Sequence, residues 1–182
     1  MTVIADALIA DNVLESPEGI TPSAFKQAMR HLGGTACVIT VSHGNMLGGL
    51  TATSVTAVSA EPAEILVCVN QSSSAWPLLR DSGLFGVNVL GAEQRQLAEQ
   101  FAGVGGLKAG ERYQGHPWRR SPQGIFLAEE APAALACETV HIVERHSHAL
   151  VFGRVLLVHH AQQASASPLL YWNAGFGRFV AK

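Results

Sequence analysis

Charge is what this 182-residue chain has least of. Asp, Glu, Lys and Arg make up 14% of it, against roughly 25% in an ordinary domain. No basic run exceeds Arg119-Arg120, and the net charge is −2. The basic face that nucleic-acid binding requires is therefore missing, and no nucleic-acid partner is expected. Hydrophobic residues reach 48%, and a chain so apolar and so sparsely charged is expected to hide surface in a homodimer. Long hydrophobic runs are also lacking. No stretch approaches the ~18 residues of a membrane span, so no membrane partner is expected. Cysteine is scarce: Cys37, Cys68 and Cys137 are odd in number, far apart and set among apolar neighbours. They read as buried thiols in a reducing cytoplasm. Without a CxxC or a Cys/His cluster, no metal site is expected.

The first 19 residues carry Asp6, Asp11, Glu15 and Glu18 but no Lys or Arg. That excludes an ordinary signal peptide, which needs a positive start. The expected organisation is an N-terminal arm, residues 1–19, followed by one domain, residues 20–182, with no internal repeat. A Walker loop is absent. Gly103-Val104-Gly105-Gly106-Leu107-Lys108 only faintly resembles a dinucleotide fingerprint. It follows a helix and precedes a loop, where the fingerprint needs a strand before and a helix after. A nucleotide would have to be held by scattered hydroxyls and backbone N–H groups.

What is present reads mainly as strands. Thr21-Pro22 starts a helix, with Phe25, Ala28, Met29 and Leu32 on one apolar face and Gly33-Gly34 after it. Residues 35–42 alternate as a strand, and His43-Gly44-Asn45 turns the chain into a long strand over residues 46–60. Residues 64–70 and 84–90 are further strands. Between them, Ser73 or Ser74 caps a short helix ending at Asp81-Ser82-Gly83, with Trp76-Pro77 in its first turn. Residues 92–102 form a helix with Leu97 and Phe101 inward, and residues 103–124 are loop-rich. Residues 133–145 and 150–160 are two long strands around a turn. A linker over 161–167 precedes the closing segment 168–180. Strands joined by hairpins, with few helices, imply an antiparallel barrel with peripheral helices.

The stretch from Gly49 to Pro62 is unusual for a strand. It carries Thr51, Thr53, Ser54, Thr56 and Ser59, with Thr40 nearby, where a core strand would be richer in Val, Ile and Leu. Small hydroxyl side chains allow a ligand close to the backbone and give it hydrogen-bond partners. Ser72-Ser73-Ser74 precedes a helix start, where free N–H groups favour a phosphate, although capping alone would need only one serine. His146 and His148 are two apart, on one strand face. His146 reads as a solvated turn residue and His159-His160 as a frayed strand end. Tyr171-Trp172 can stack on a ring or pack in a core or dimer seam. Arg178, between Gly177 and Phe179, is a candidate phosphate contact.

These blocks occur in order: the Gly49–Pro62 stretch, beginning Gly49-Leu50-Thr51-Ala52-Thr53-Ser54-Val55-Thr56; Asn70-Gln71-Ser72-Ser73-Ser74-Ala75-Trp76-Pro77-Leu78; Phe85-Gly86-Val87-Asn88-Val89-Leu90; Gln96-Leu97-Ala98-Glu99-Gln100-Phe101-Ala102-Gly103; His148-Ala149-Leu150-Val151-Phe152-Gly153-Arg154-Val155; and Pro168-Leu169-Leu170-Tyr171-Trp172. At these spacings, over roughly residues 20–180, the chain resembles the short-chain flavin reductases. These are the reductase components of two-component flavin-dependent monooxygenases, such as those acting on 4-hydroxyphenylacetate and chlorophenols. The resemblance implies a mainly β, antiparallel split β-barrel (the FMN-binding split barrel) with peripheral helices. It implies an NAD(P)H:flavin oxidoreductase, NADH favoured, passing hydride to FAD or FMN. Reduced flavin would then go to a separate monooxygenase that hydroxylates a phenolic or other aromatic compound.

The resemblance also implies site residues. The flavin would lie against Thr51, Ala52, Thr53, Ser54 and Val55. Its tail would reach Asn70, Ser72, Ser73, Ser74 and Trp76, and the corner Phe101, Ala102 and Gly103, with Tyr171 nearby. His148 would position the nicotinamide; where the family carries an acidic residue before this histidine, the chain has Ser147. An alternative is a non-catalytic flavin- or haem-binding split barrel, with His148 as the axial candidate. A relative of pyridoxine-phosphate oxidases is a further one, though no basic cluster for a phosphorylated vitamin is present.

Overall fold

The structure is a computed structural model that describes residues 19–163, 165 and 167–180. The expected N-terminal arm falls outside the described residues apart from Gly19. Helix α1 (Pro22–Met29) begins as its sequence dictates. Thr21 Oγ1 accepts the Ala24 amide at 3.2 Å, and Pro22 occupies the first turn. The apolar face is present but not buried: Phe25, Met29 and Leu32 are all exposed. The helix stops before the glycines, at Met29.

The expected strand over residues 35–42 is broken at Ala36 into β1 (Gly34–Thr35) and β2 (Cys37–His43). The expected long strand over 46–60 is also two, β3 (Met46–Ala52) and β4 (Val55–Ala60), interrupted at Thr53 and Ser54. There follow β5 (Ala63–Asn70), α2 (Trp76–Ser82), β6 (Leu84–Val89) and α3 (Arg95–Phe101), the last entered through a 3₁₀ turn at Ala92–Gln94. A small hairpin, β7 (Trp118–Arg120) and β8 (Phe126–Ala128), leads to the long pair β9 (Ala133–Arg145) and β10 (His148–His159). The chain closes with β11 (Leu169–Trp172) and β12 (Gly175–Arg178).

Every strand pair is antiparallel. The seven-stranded sheet runs β3-β2-β6-β9-β10-β5-β4, and β1-β11-β12 forms a second sheet. The break at Thr53 and Ser54 thus carries the chain from one end of the large sheet to the other, and β3 approaches β5 across that gap. Alternation does the rest. On β10, Ala149, Val151 and Gly153 point inward while Leu150 and Phe152 are only half-buried. Gly153 is required by close approach, because a Cβ there would lie 2.4 Å from the Phe85 ring.

Two buried clusters fill the interior. One joins α3 to the β7–β8 region through Leu97, Phe101, Tyr113 and Ile125. The other packs α2 against the sheet through Trp76, Leu79, Phe85 and Val151. Buried Asn88 braces the first cluster by donating to Val38 O at 2.9 Å and accepting the Ala128 amide at 2.7 Å. Each such bond is worth about 1 kcal/mol net, and more is lost if a partner is orphaned. The three cysteines are free. Burial pushes the Cys37 and Cys137 thiols up to about 12, while Cys68 is half-buried. No helix among the described residues is long and apolar enough to cross a membrane.

Candidate functional site

The break between β3 and β4 makes a ledge. Cys68 donates its amide to Ser54 O at 3.0 Å, which pins the ledge to β5. Among the described residues, the Thr53 and Ser54 amides donate to no protein acceptor. Two unpaired N–H groups at the edge of a sheet are free to bind a ligand oxygen or nitrogen. A cavity of about 470 Å³ opens beside the ledge, bounded by Thr51, Ala52, Thr53, Ala102, Tyr171 and Phe176. Its walls come from the end of β3, the end of α3 and the β11–β12 hairpin. Tyr171 and Phe176 meet edge-on with ring centroids 5.1 Å apart. Asn173 and Ala174 turn that hairpin with positive φ, 48° and 63°, as a tight two-residue turn demands.

The cavity's charge is a pair. Arg95 Nε donates to Glu99 Oε1 at 2.8 Å, one helical turn apart on α3. The Arg95 guanidinium also stands over the Phe176 ring at 6.0 Å. Below it, Arg112 braces the loop that follows α3. Its guanidinium donates to Leu107 O at 3.0 Å and to Gly49 O at 2.9 Å. That holds residues 101–113 against the free edge of β3, where Tyr113 also donates to Gly48 O at 2.6 Å.

The expected site residues separate into groups. Thr51, Ala52, Thr53, Ala102 and Tyr171 line one cavity together. Ser54 and Val55 stand just beyond its wall, Val55 packing on the core. The hydroxyls are mostly spoken for. Thr51 donates to Ala98 O at 2.6 Å, Ser54 to Cys68 O at 3.2 Å and Thr40 to Phe126 O at 2.6 Å. The ledge therefore offers backbone N–H groups and the Thr53 hydroxyl rather than a row of hydroxyls. Gly103 caps α3 in the left-handed region, φ 90°. Phe101 and Trp76 are 1% and 6% exposed and belong to the two cores, because each is the apolar face of a short helix.

Two strand residues from the ledge, His148 and Asn70 face each other in register. Gln71 N donates to Ser147 O at 2.9 Å, and the Ser147 hydroxyl lies 2.9 Å from His148 Nδ1. Ser147 is thus the side chain in hydrogen-bond contact with the His148 ring. His146 is an exposed turn residue with φ 53°. Ser72 donates to Asn70 Oδ1 at 2.8 Å, and Ser73 Oγ accepts the Ala75 amide at 3.3 Å. Neither Ser73 nor Ser74 caps α2: its N-cap position is Ala75, with no side-chain cap, and the helix has only seven residues. Ser73 closes the preceding turn instead.

Sequence reasoning missed Arg95, Glu99, Val104 and Phe176 on the cavity wall. The i,i+4 spacing of Arg95 and Glu99 was visible, but it is also that of any solvated helix face. Arg178 lines a shallower pocket beside the cavity, with Leu169 and Phe176. His159 and His160 are not frayed. Their ring nitrogens lie 3.1 Å from Glu129 O and 3.2 Å from Pro132 O, on the wall of a larger cavity of about 750 Å³.

Comparisons with known proteins identify the family. The chain is similar to an FMN reductase (NADH), RutF 2, of Methylorubrum extorquens, with 33% identity over 87% of this chain and 90% of that protein. It is 34% identical to the reductase component of an FADH(2)-dependent resorcinol hydroxylase of Rhizobium sp., covering 88% of each. Among solved structures it resembles BorF, the flavin reductase component of a bacterial two-component tryptophan halogenase. There the TM-score is 0.80 and identity 26%, over 89% of this chain and 100% of that one. The profile of the flavin reductase like domain matches residues 29–179, and the chain belongs to that family.

Proposed function

We propose that this protein is an NADH-dependent flavin reductase that supplies reduced flavin to a separate monooxygenase, one that hydroxylates a phenolic or other aromatic compound. The observation that carries the reading is the convergence of Thr51, Ala52, Thr53, Ala102 and Tyr171, from three distant segments, on one cavity. Named relatives support the rest. They include the resorcinol hydroxylase component and a 4-nitrophenol monooxygenase reductase component of Rhodococcus opacus. A non-catalytic barrel is not favoured by any of them.

The walls fit a flavin. Tyr171, Phe176, Ala102 and Val104 offer flat or small apolar surface to a fused ring. The unpaired amides of Thr53 and Ser54 suit a ring edge that gains negative charge. Bound flavin would supply the hydride acceptor, its N5, so the protein need provide neither acid, base nor nucleophile. Its residues instead position and stabilise. Thr53 and Ser54 N–H donate where charge accumulates, and Arg95, held by Glu99, adds positive potential at the rim. His148, steadied by Ser147, orients the nicotinamide from the Asn70 side. The loop braced by Arg112 keeps Ala102 in place.

The finer architecture is part of the same proposal. The ledge at Thr53 and Ser54, where β3 meets β5, is the seam of a split β-barrel. The outward face of β5, β10 and β9 presents Leu66, Cys68, Phe152, Leu150 and Val143, all half-buried in the single chain. We assign that face, with the exposed side of α1, to a homodimer contact. Sedimentation should give twice the chain's 19.2 kDa, and Phe152→Glu should give the monomer. The free cysteines support a reducing compartment, the cytoplasm. The deciding assay for function is NADH oxidation with and without added FMN or FAD, repeated with NADPH. Flavin-stimulated oxidation favouring NADH supports the reading; oxidation indifferent to flavin removes it.

A further inference from the structure

Phe101 and Leu107 are the two feet of a short loop, and one side chain holds both. Arg112 donates to Leu107 O at 3.0 Å and reaches Phe101 O at 3.5 Å, while its bond to Gly49 O at 2.9 Å ties the feet to β3. Phe101 is also buried in the core beside α3. The base of the loop is therefore fixed, but its tip is built differently. Gly103, Gly105 and Gly106 have φ of 90°, 80° and 73°, backbone that glycine adopts and leaves at no steric cost. A Cβ at Gly105 or Gly106 would meet nothing within 4 Å. Among the described residues, the Val104, Gly105 and Leu107 amides donate to no protein acceptor, and a 3.3 Å bond from Gly106 N to Gly103 O spans the tip. Val104 stands between these glycines, on the wall of the cavity beside the ledge, and is 60% exposed. An apolar side chain in water beside a cavity gains by turning onto a ligand that fills it.

We propose that Gly103–Gly106 is a flap that folds Val104 onto bound flavin and must lift before reduced flavin can leave. The proposal rests on the flavin ring lying in this cavity. With Val104 largely exposed, the described conformation is the open one. Closed, Val104 shields the ring from water, which strengthens the Thr53 and Ser54 N–H donors toward it. The flap acts from the α3 side and leaves the His148 side to the nicotinamide. Because Arg112 clamps both feet, the motion is confined to the tip and Ala102 stays in place. The rate at which the tip lifts then sets how fast reduced flavin passes to the monooxygenase, as lid opening does in many enzymes.

Amide hydrogen exchange with and without saturating FMN, joined to stopped-flow flavin release, tests this. In the wild type, FMN should slow exchange across residues 104–107 by about fivefold. A rigid wall would leave those amides unchanged, since Gly105 and Gly106 touch nothing. Val104→Gly, at an exposed position, should abolish that protection at saturating FMN. It should also release flavin about tenfold faster, as the loss of one buried aliphatic contact implies. Val104→Leu, with a longer apolar tip, should keep the protection and slow release. Unprotected 104–107 amides in the FMN-saturated wild type, or release from Val104→Gly at the wild-type rate, would overturn the proposal. Thr53→Leu separates the two readings. If it weakens FMN while the wild-type tip stays unprotected, the flap alone falls. If it leaves FMN affinity unchanged, the ring lies elsewhere and the flap falls with that placement.

Discussion

A cavity of about 750 Å³ and the candidate flavin site lie on either side of the same short segment, the entry to α3. Glu93 and Gln94 face the larger one, while Arg95 and Glu99 face the smaller. The larger holds three carboxylates, Glu93, Glu129 and Glu130, against one guanidinium, Arg119, which already pairs with Glu129 at 2.7 Å. A hydrogen bond from Ser165, another from its own backbone and the Arg178 charge hold the Glu93 carboxyl below the usual range. A phosphorylated ligand that gains charge on reduction is repelled there. The smaller cavity offers unpaired N–H groups, a balanced ion pair and two aromatic rings. Size favours the larger cavity; unfulfilled donors beside flat apolar walls favour the smaller, on the proposed reading.

The comparison breaks most readily at the ledge. Thr53→Leu, or Ala102→Trp to fill the smaller cavity, should raise the flavin KM by about 100-fold with the fold intact. That is a loss of ~2.7 kcal/mol of binding, measured by steady-state titration of flavin at saturating NADH. Second in size is His148→Ala. Orientation losses of this kind reach on the order of 100-fold, and here about tenfold is expected, in NADH KM or in the rate of flavin reduction by stopped flow, with flavin affinity unchanged. A wild-type rate together with wild-type NADH affinity would return His148 to the rim.

Arg112→Met follows. It strips the charged donor from Gly49 O and Leu107 O, bonds of about 1.5–3 kcal/mol when one partner is charged. The loop carrying Ala102 should loosen. We expect a lower melting temperature and a severalfold weaker flavin affinity; an unchanged flavin Kd would show that the loop does not shape the site. The smallest effect belongs to the other side of the comparison. Glu130→Gln, in the larger cavity, should alter flavin and NADH kinetics by less than about twofold, since an exposed single charge changes little.

Much of this was legible in the chain, and the failures have physical causes. Apolar runs bounded by turn residues located β5, β6, β9 and β10, and β6 is buried on both faces from Phe85 to Asn88. The Thr21-Pro22 start of α1 is a local signal and needs no tertiary context. The break at Thr53 and Ser54 was not legible. Val, Thr and Ser continue on both sides of it, and only the distant pairing of Ser54 with Cys68 shows that the two halves belong to opposite ends of the sheet. The same long-range contacts consume the hydroxyls of Thr40, Thr51 and Ser54, which looked available in sequence. Trp76 sits beside the serine run but turns into the core with α2. Phe176 reaches the cavity only because the β11–β12 hairpin folds back, a geometry set by two residues with positive φ.

A crystal structure of the protein with FMN tests the central claim most directly. The account predicts ring density between the Thr53–Ser54 amides and the Tyr171–Phe176 pair, with Ala102 beneath. Ring density in the larger cavity among Glu93, Glu130 and His160, with the ledge amides still unpaired, would contradict it.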